Sequence, residues 1–126
     1  MKNLIHAGTI ALCLFATSAM SDDKAFAADK PVILINAFEV PAGKEAEAVQ
    51  FWERAAEFMK KQPGYVSTAL HQAILPDARF RLINVAKWES VDAFKKASHA
   101  LRTKSGVKLV KGMVPNPSLY SIIRSD

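Results

Sequence analysis

The chain has 126 residues and one cysteine, Cys13. A fold built from the residues beyond it has no disulfide and no thiolate chemistry to draw on. There is no Gly-rich phosphate loop and no nucleophile elbow. No His, Cys and carboxylate cluster has the spacing of a metal centre, so no metal site is expected. No run interleaves aromatics with arginines, which argues against nucleic-acid readout. No apolar stretch is long enough to span a bilayer, so a stable membrane anchor is not expected.

What is present begins with a leader-like amino terminus. Met1, Lys2 and Asn3 precede a short apolar run, Thr9 to Ala16, and Ala25-Phe26-Ala27 has the small-x-small form of a signal-peptidase site. Residues 1–27 are therefore expected to be a cleaved signal peptide that carries Cys13 away. Leu12 before Cys13 does not suit a lipoprotein anchor. Residues 28–126 remain as one small domain, exported to a bacterial periplasm or beyond. The net charge of +5 stays with that domain, because residues 1–27 hold two Lys and two Asp. The basic residues are spread out, as solubility requires.

Leu-Ile-Asn occurs at Leu34-Ile35-Asn36 and again at Leu82-Ile83-Asn84, each time inside an apolar run. Val32–Val40 and Phe80–Trp88 read as strands in which one amide interrupts a segment suited to burial. A buried amide without partners is costly, so each asparagine needs a pocket or a partner. Each run precedes a helix-like stretch. Glu45–Gln62 places Ala48, Val49, Trp52, Ala55, Ala56 and Met59 on one face, with Phe51 and Phe58 beside it. Pro63-Gly64 stops it. Ser90 can cap a second helix from Val91, which carries Ala93, Phe94, Ala97 and Leu101 and is expected to break near His99. Tyr65–Ala73 suits another strand, with Thr68 and Leu70 on one face and Tyr65 and His71 on the other. Thr103–Pro117 is expected to be a mobile loop, followed by a short last strand, Leu119–Ile123.

Strand-helix-strand twice over is the split βαβ plan: α+β, ferredoxin-like, with an antiparallel sheet. The first and third strands are then central neighbours, and the two asparagines share one pocket. Both faces of Val32–Val40 are largely apolar. A strand covered on one side only shows polar residues on its other face, so the sheet is expected to be covered twice, most simply by helices and a twin subunit.

Val32–Lys44 and Leu82–Phe94, above all the Trp88-Glu89-Ser90 segment leading into a helix with Phe94, together with Pro63-Gly64-Tyr65, resemble the antibiotic biosynthesis monooxygenase superfamily. The resemblance implies a homodimer whose two sheets pack into a dimeric α/β barrel, and a ligand pocket between sheet and helices. It also implies a monooxygenase that uses no cofactor, acting with dioxygen on a small aromatic hydroxylated or quinol-like compound. Such chemistry needs a dry pocket, a proton acceptor and donors for a developing oxyanion. Asn36, Trp88 and His99 are the candidate catalytic residues; Asn84, Trp52, Phe38 and Phe58 are the candidate substrate-binding residues. Asn84 also reads as the structural partner of Asn36, and Trp88 as a packing residue whose ring nitrogen bonds backbone.

The alternative is a non-enzymatic binder of an apolar ligand or haem. Haem-degrading relatives are expected to pair a first-strand Asn, matched by Asn36, with a Trp near Ala97 and a His near Val107. Neither of the latter is matched, which sets haem behind the cofactor-free reading. His99 remains as an off-register axial donor.

Overall fold

A computed structural model describes residues 30–126. The expected leader at 1–27, with Cys13 and its cleavage site, lies outside the described residues. The elements are β1 (Val32–Glu39), α1 (Glu45–Met59), β2 (Tyr65–Gln72), β3 (Leu82–Trp88), α2 (Val91–Lys104) and β4 (Val114–Tyr120). The strands form one antiparallel sheet in the order β2-β3-β1-β4. This is the ferredoxin-like arrangement, and Asn36 stands directly opposite Asn84 in the central register.

The helices lie on one face of the sheet because their apolar stripes and the even-numbered positions of β1 and β3 need the same cover. The resulting core is in two parts. Val32, Leu34, Ala86, Trp88 and Ala97 form one, joined by Met59, Tyr65 and Phe94. Phe38, Ala48, Leu82 and Met113 form the other, joined by Phe51, Trp52 and Leu70. The Asn36–Asn84 row falls between them, where the strand alternation calls for apolar residues and supplies amides.

Ser90 caps α2 as expected, its Oγ accepting from Ala93 N at 3.1 Å. Four other expectations are corrected. First, α1 ends at Met59, short of Gln62. Its last turn tightens into Lys61 N–Phe58 O and Gln62 N–Met59 O bonds, because Pro63 disfavours helical backbone at Gln62. Second, α2 does not break at His99 but runs to Lys104; a histidine in the interior removes no backbone bond, and the Thr103 hydroxyl donates to the His99 carbonyl at 2.8 Å.

Third, a bulge between Tyr65 and Ser67 puts Tyr65 opposite Trp88. Tyr65 thus shares the helix-facing side with Thr68 rather than with His71. Gly64, at φ +87°, makes that bend; a Cβ there would strike Ala93 Cβ. Fourth, the end of the expected loop is strand. β4 starts at Val114 and ends at Tyr120, pairing along β1 from Glu39 to Ile33. Arg81 N donates to Phe38 O at 3.1 Å, so the even positions of β1 bond towards β3 and the odd ones towards β4. The partners of the odd positions are Val114, Asn116, Ser118 and Tyr120. Pro115 and Pro117 therefore turn their nitrogens to the free edge, where a missing N–H costs the ladder nothing.

Candidate functional site

A cavity of about 660 Å³ opens where the two halves of the core separate. Its floor is the sheet: Leu34, Asn36 and Phe38 from β1, Asn84, Ala86 and Trp88 from β3, Thr68 from β2, and Pro115 and Pro117 from β4. α1 contributes Phe51, Trp52, Ala55, Ala56 and Met59; α2 contributes Phe94, Lys95, Ser98, Leu101 and Arg102. These residues recur every three to four positions, the faces that the two helices turn to the sheet.

The two amides on the floor are each held by an edge strand. Asn36 Oδ1 accepts from the backbone N–H of Asn116 at 3.0 Å. The Asn116 side chain answers by donating Nδ2 to Ala37 O at 2.9 Å and to Val114 O at 3.3 Å. Asn84 Oδ1 accepts the Thr68 hydroxyl at 2.6 Å. The two central asparagines therefore face each other across the ladder, but each is tied to an edge strand and not to its neighbour. The expectation that Asn84 is the structural partner of Asn36 is corrected on that ground.

Trp88 is packed edge-on between Tyr65 at 5.6 Å and Phe94 at 5.8 Å. Its Nε1 is buried without a partner among the described residues, contrary to the expected bond to backbone. Phe38 meets Phe51 edge-on at 6.5 Å on the other side of the amide row. Lys95 and Arg102 are exposed and stand on one face of α2, two turns or about 10 Å apart along its axis.

Of the residues singled out in the sequence, Asn36, Asn84, Trp88, Trp52 and Phe38 line the cavity. Phe58 and His99 do not. Phe58 lies off the α1 stripe, half-buried; its carbonyl accepts from Gln62 Nε2. His99 is exposed, one position past Ser98 and so rotated about 100° from the lining face. His71 is on the opposite side of the sheet, its Nδ1 3.3 Å from Ile83 O. Sequence reasoning passed over Asn116, Tyr65, Thr68, Lys95 and Arg102. The spacing of Phe94, Ser98, Leu101 and Arg102 carried the α2 wall; Asn116 gave no such signal. Among the described residues no group of three or more His, Cys, Asp or Glu is placed to hold a metal, and no helix is long and apolar enough to cross a membrane.

A model of the family described as antibiotic biosynthesis monooxygenase matches residues 31–105. A Shewanella loihica protein proposed to be a monooxygenase is 46% identical, with a TM-score of 0.71 over 76% of this chain and 97% of its own. SnoaB, a cofactor-independent oxygenase from Streptomyces nogalater, is 26% identical, with a TM-score of 0.57 over 76% of this chain and 96% of its own. The heme oxygenase (mycobilin-producing) of Mycobacterium tuberculosis is 34% identical over 65 residues, 52% of this chain and 60% of the relative. The chain thus spans less than two thirds of that relative's length.

The last similarity overturns the cofactor-free reading. Haem was set aside on two positions, Ala97 and Val107. Ala97 is 2% exposed in the core, and neither residue lines the cavity. They are the wrong places at which to judge what this chamber admits.

Proposed function

The chain belongs to the antibiotic biosynthesis monooxygenase family, and from that premise we propose that its cavity binds a flat, largely apolar ring compound carrying acid groups, with haem as the leading ligand and oxygenation of the ring as the chemistry. One observation carries this reading: the core parts around a row of amides, leaving an apolar chamber instead of collapsing onto it. A volume of about 660 Å³ lies within the roughly 300–1,000 Å³ of small-molecule sites.

The fit to haem divides by part. The aromatic and aliphatic walls suit the ring, and Lys95 and Arg102 suit its two carboxylates. An axial imidazole is not offered: among the described residues, neither His71 nor His99 lines the chamber. Met59 and Tyr65 are wall residues of types that ligate haem iron elsewhere. Haem therefore fits as a ring ligand or substrate and does not fit as a histidine-held cofactor. The chain's own contribution is to exclude water with Trp52, Met59, Phe94 and Leu101, to orient the ring against the asparagines, and to hold its acid groups at α2.

Titrating ferric haem into residues 28–126 and following the Soret band tests this. The expected result is a saturable shift that His99→Ala leaves in place and that Lys95→Glu with Arg102→Glu weakens by roughly fivefold or more. A linear, unsaturable response would remove the haem reading.

A second reading is oxygenation of a hydroxylated or quinol-like aromatic with dioxygen. The amides of Asn36 and Asn84 favour it, since they can hold an oxygen substituent on the ring. Oxygen uptake with quinols, lowered in Asn36→Ala, is its measure. We also propose that the opposite face of the sheet, with Ile33, Ile35, Ala37, Ile83 and Val85 only half-buried, packs against a second copy. Export by way of residues 1–27 belongs to the same proposal.

A further inference from the structure

We propose that Asn116, on β4, fixes the polarity of the Asn36 amide and so makes the sheet wall of the chamber a surface of hydrogen-bond donors. Such a wall selects ring ligands that bring an oxygen acceptor to it. This rests on the ring-binding reading above and adds what the ligand must carry.

A backbone N–H can only donate, so the Asn36 atom 3.0 Å from Asn116 N is the amide oxygen. Nδ2, with its two hydrogens, is left for the cavity that Asn36 lines. The same bond in the other sense is unavailable, because a backbone N–H has no capacity to accept. Asn116 keeps its own backbone in place by giving its side-chain amide to Ala37 O and Val114 O. It does not line the chamber. It is a positioning residue.

One further group shares this sense. Asn84 has its oxygen engaged by the Thr68 hydroxyl, which leaves Nδ2 over. Asn36 and Asn84 are register partners. A bare hydrocarbon ring leaves both Nδ2 groups unanswered. A carbonyl or phenolate oxygen answers them.

The test uses two flat anionic probes of one ring frame, anthraquinone-2-sulfonate and anthracene-2-sulfonate, with binding read from quenching of Trp52 and Trp88 fluorescence. The quinone is expected to bind at least about fivefold more tightly, the worth of one or more hydrogen bonds made on binding. Asn36→Ala should remove most of that preference. Asn116→Pro, which removes the backbone N–H that holds Asn36 Oδ1, should remove as much, and the double variant no more than either alone, because both act through one amide.

A direct measurement on the unaltered protein covers the case in which Asn116→Pro disturbs β4. Scalar coupling across the hydrogen bond, from Asn116 backbone nitrogen to the Asn36 side-chain carbonyl carbon, should be present. Its absence would overturn the polarity assignment. Equal binding of both probes would overturn the donor wall while leaving the chamber intact. An Asn116→Pro protein that keeps the full preference lost by Asn36→Ala would also refute the inference. Failure of both probes to bind would remove the chamber reading and this inference together.

Discussion

Trp88 is the largest fully buried side chain of the core, yet its ring nitrogen has no partner among the described residues. An orphaned buried donor costs about 1–3 kcal/mol. Trp88→Phe keeps most of the packing against Tyr65 and Phe94 and deletes the orphan. It is expected to lose clearly less stability in urea denaturation than Trp88→Ala, for which roughly 3–5 kcal/mol is usual. At this scale much of the site was legible. Alternation along β1 and β3 put Asn36, Asn84, Phe38 and Trp88 on one face, and helical spacing added Trp52. Asn116 was not legible, since its part depends on a strand pairing that two prolines disguise. Lys95 and Arg102 were overlooked because charges on a helix usually mean a solvated face. His99 was chosen for its chemistry, and its angle about the α2 axis ruled it out.

Among the elements, α2 owes its start to one hydroxyl. Ser90→Ala should cost about 1 kcal/mol, seen as a lower midpoint in thermal or urea melts. Because Phe94, Ser98 and Arg102 hang from that helix, looser ligand binding is expected in the same variant. The two helices and three of the four strands followed from periodicity, because each pattern reports one buried face. The remaining errors have local causes. A single bulge at Val66 reverses alternation, so Tyr65 changes side without any change in composition. β4 has neither strong alternation nor β-branched density. Its strand character comes from β1, whose odd-numbered backbone groups need partners.

For the molecule as a whole, double apolarity of β1 pointed to cover on both sides, and the helices supply one cover. If a second copy supplies the other, Ile35→Lys with Val85→Glu should shift the protein to monomer in analytical ultracentrifugation, with the helix-side chamber retained. The net charge of +5 and the α2 cations predict that anionic ring ligands lose affinity as salt rises, by roughly a fewfold between 0.05 and 0.5 M. The chamber itself was not readable from the chain, since it depends on the gap left between two packed clusters.

The proline pair of β4 has an effect beyond the site. An intruding strand laid along that rim would meet carbonyls but, at two successive rungs, nothing to donate to it. Such a border cannot template growth of the sheet into filaments. Replacing Pro115 and Pro117 by threonine should leave the native ladder standing, because those nitrogens point away from β1. Light scattering of concentrated samples should rise nonetheless, as the rim recovers its power to recruit stray chains.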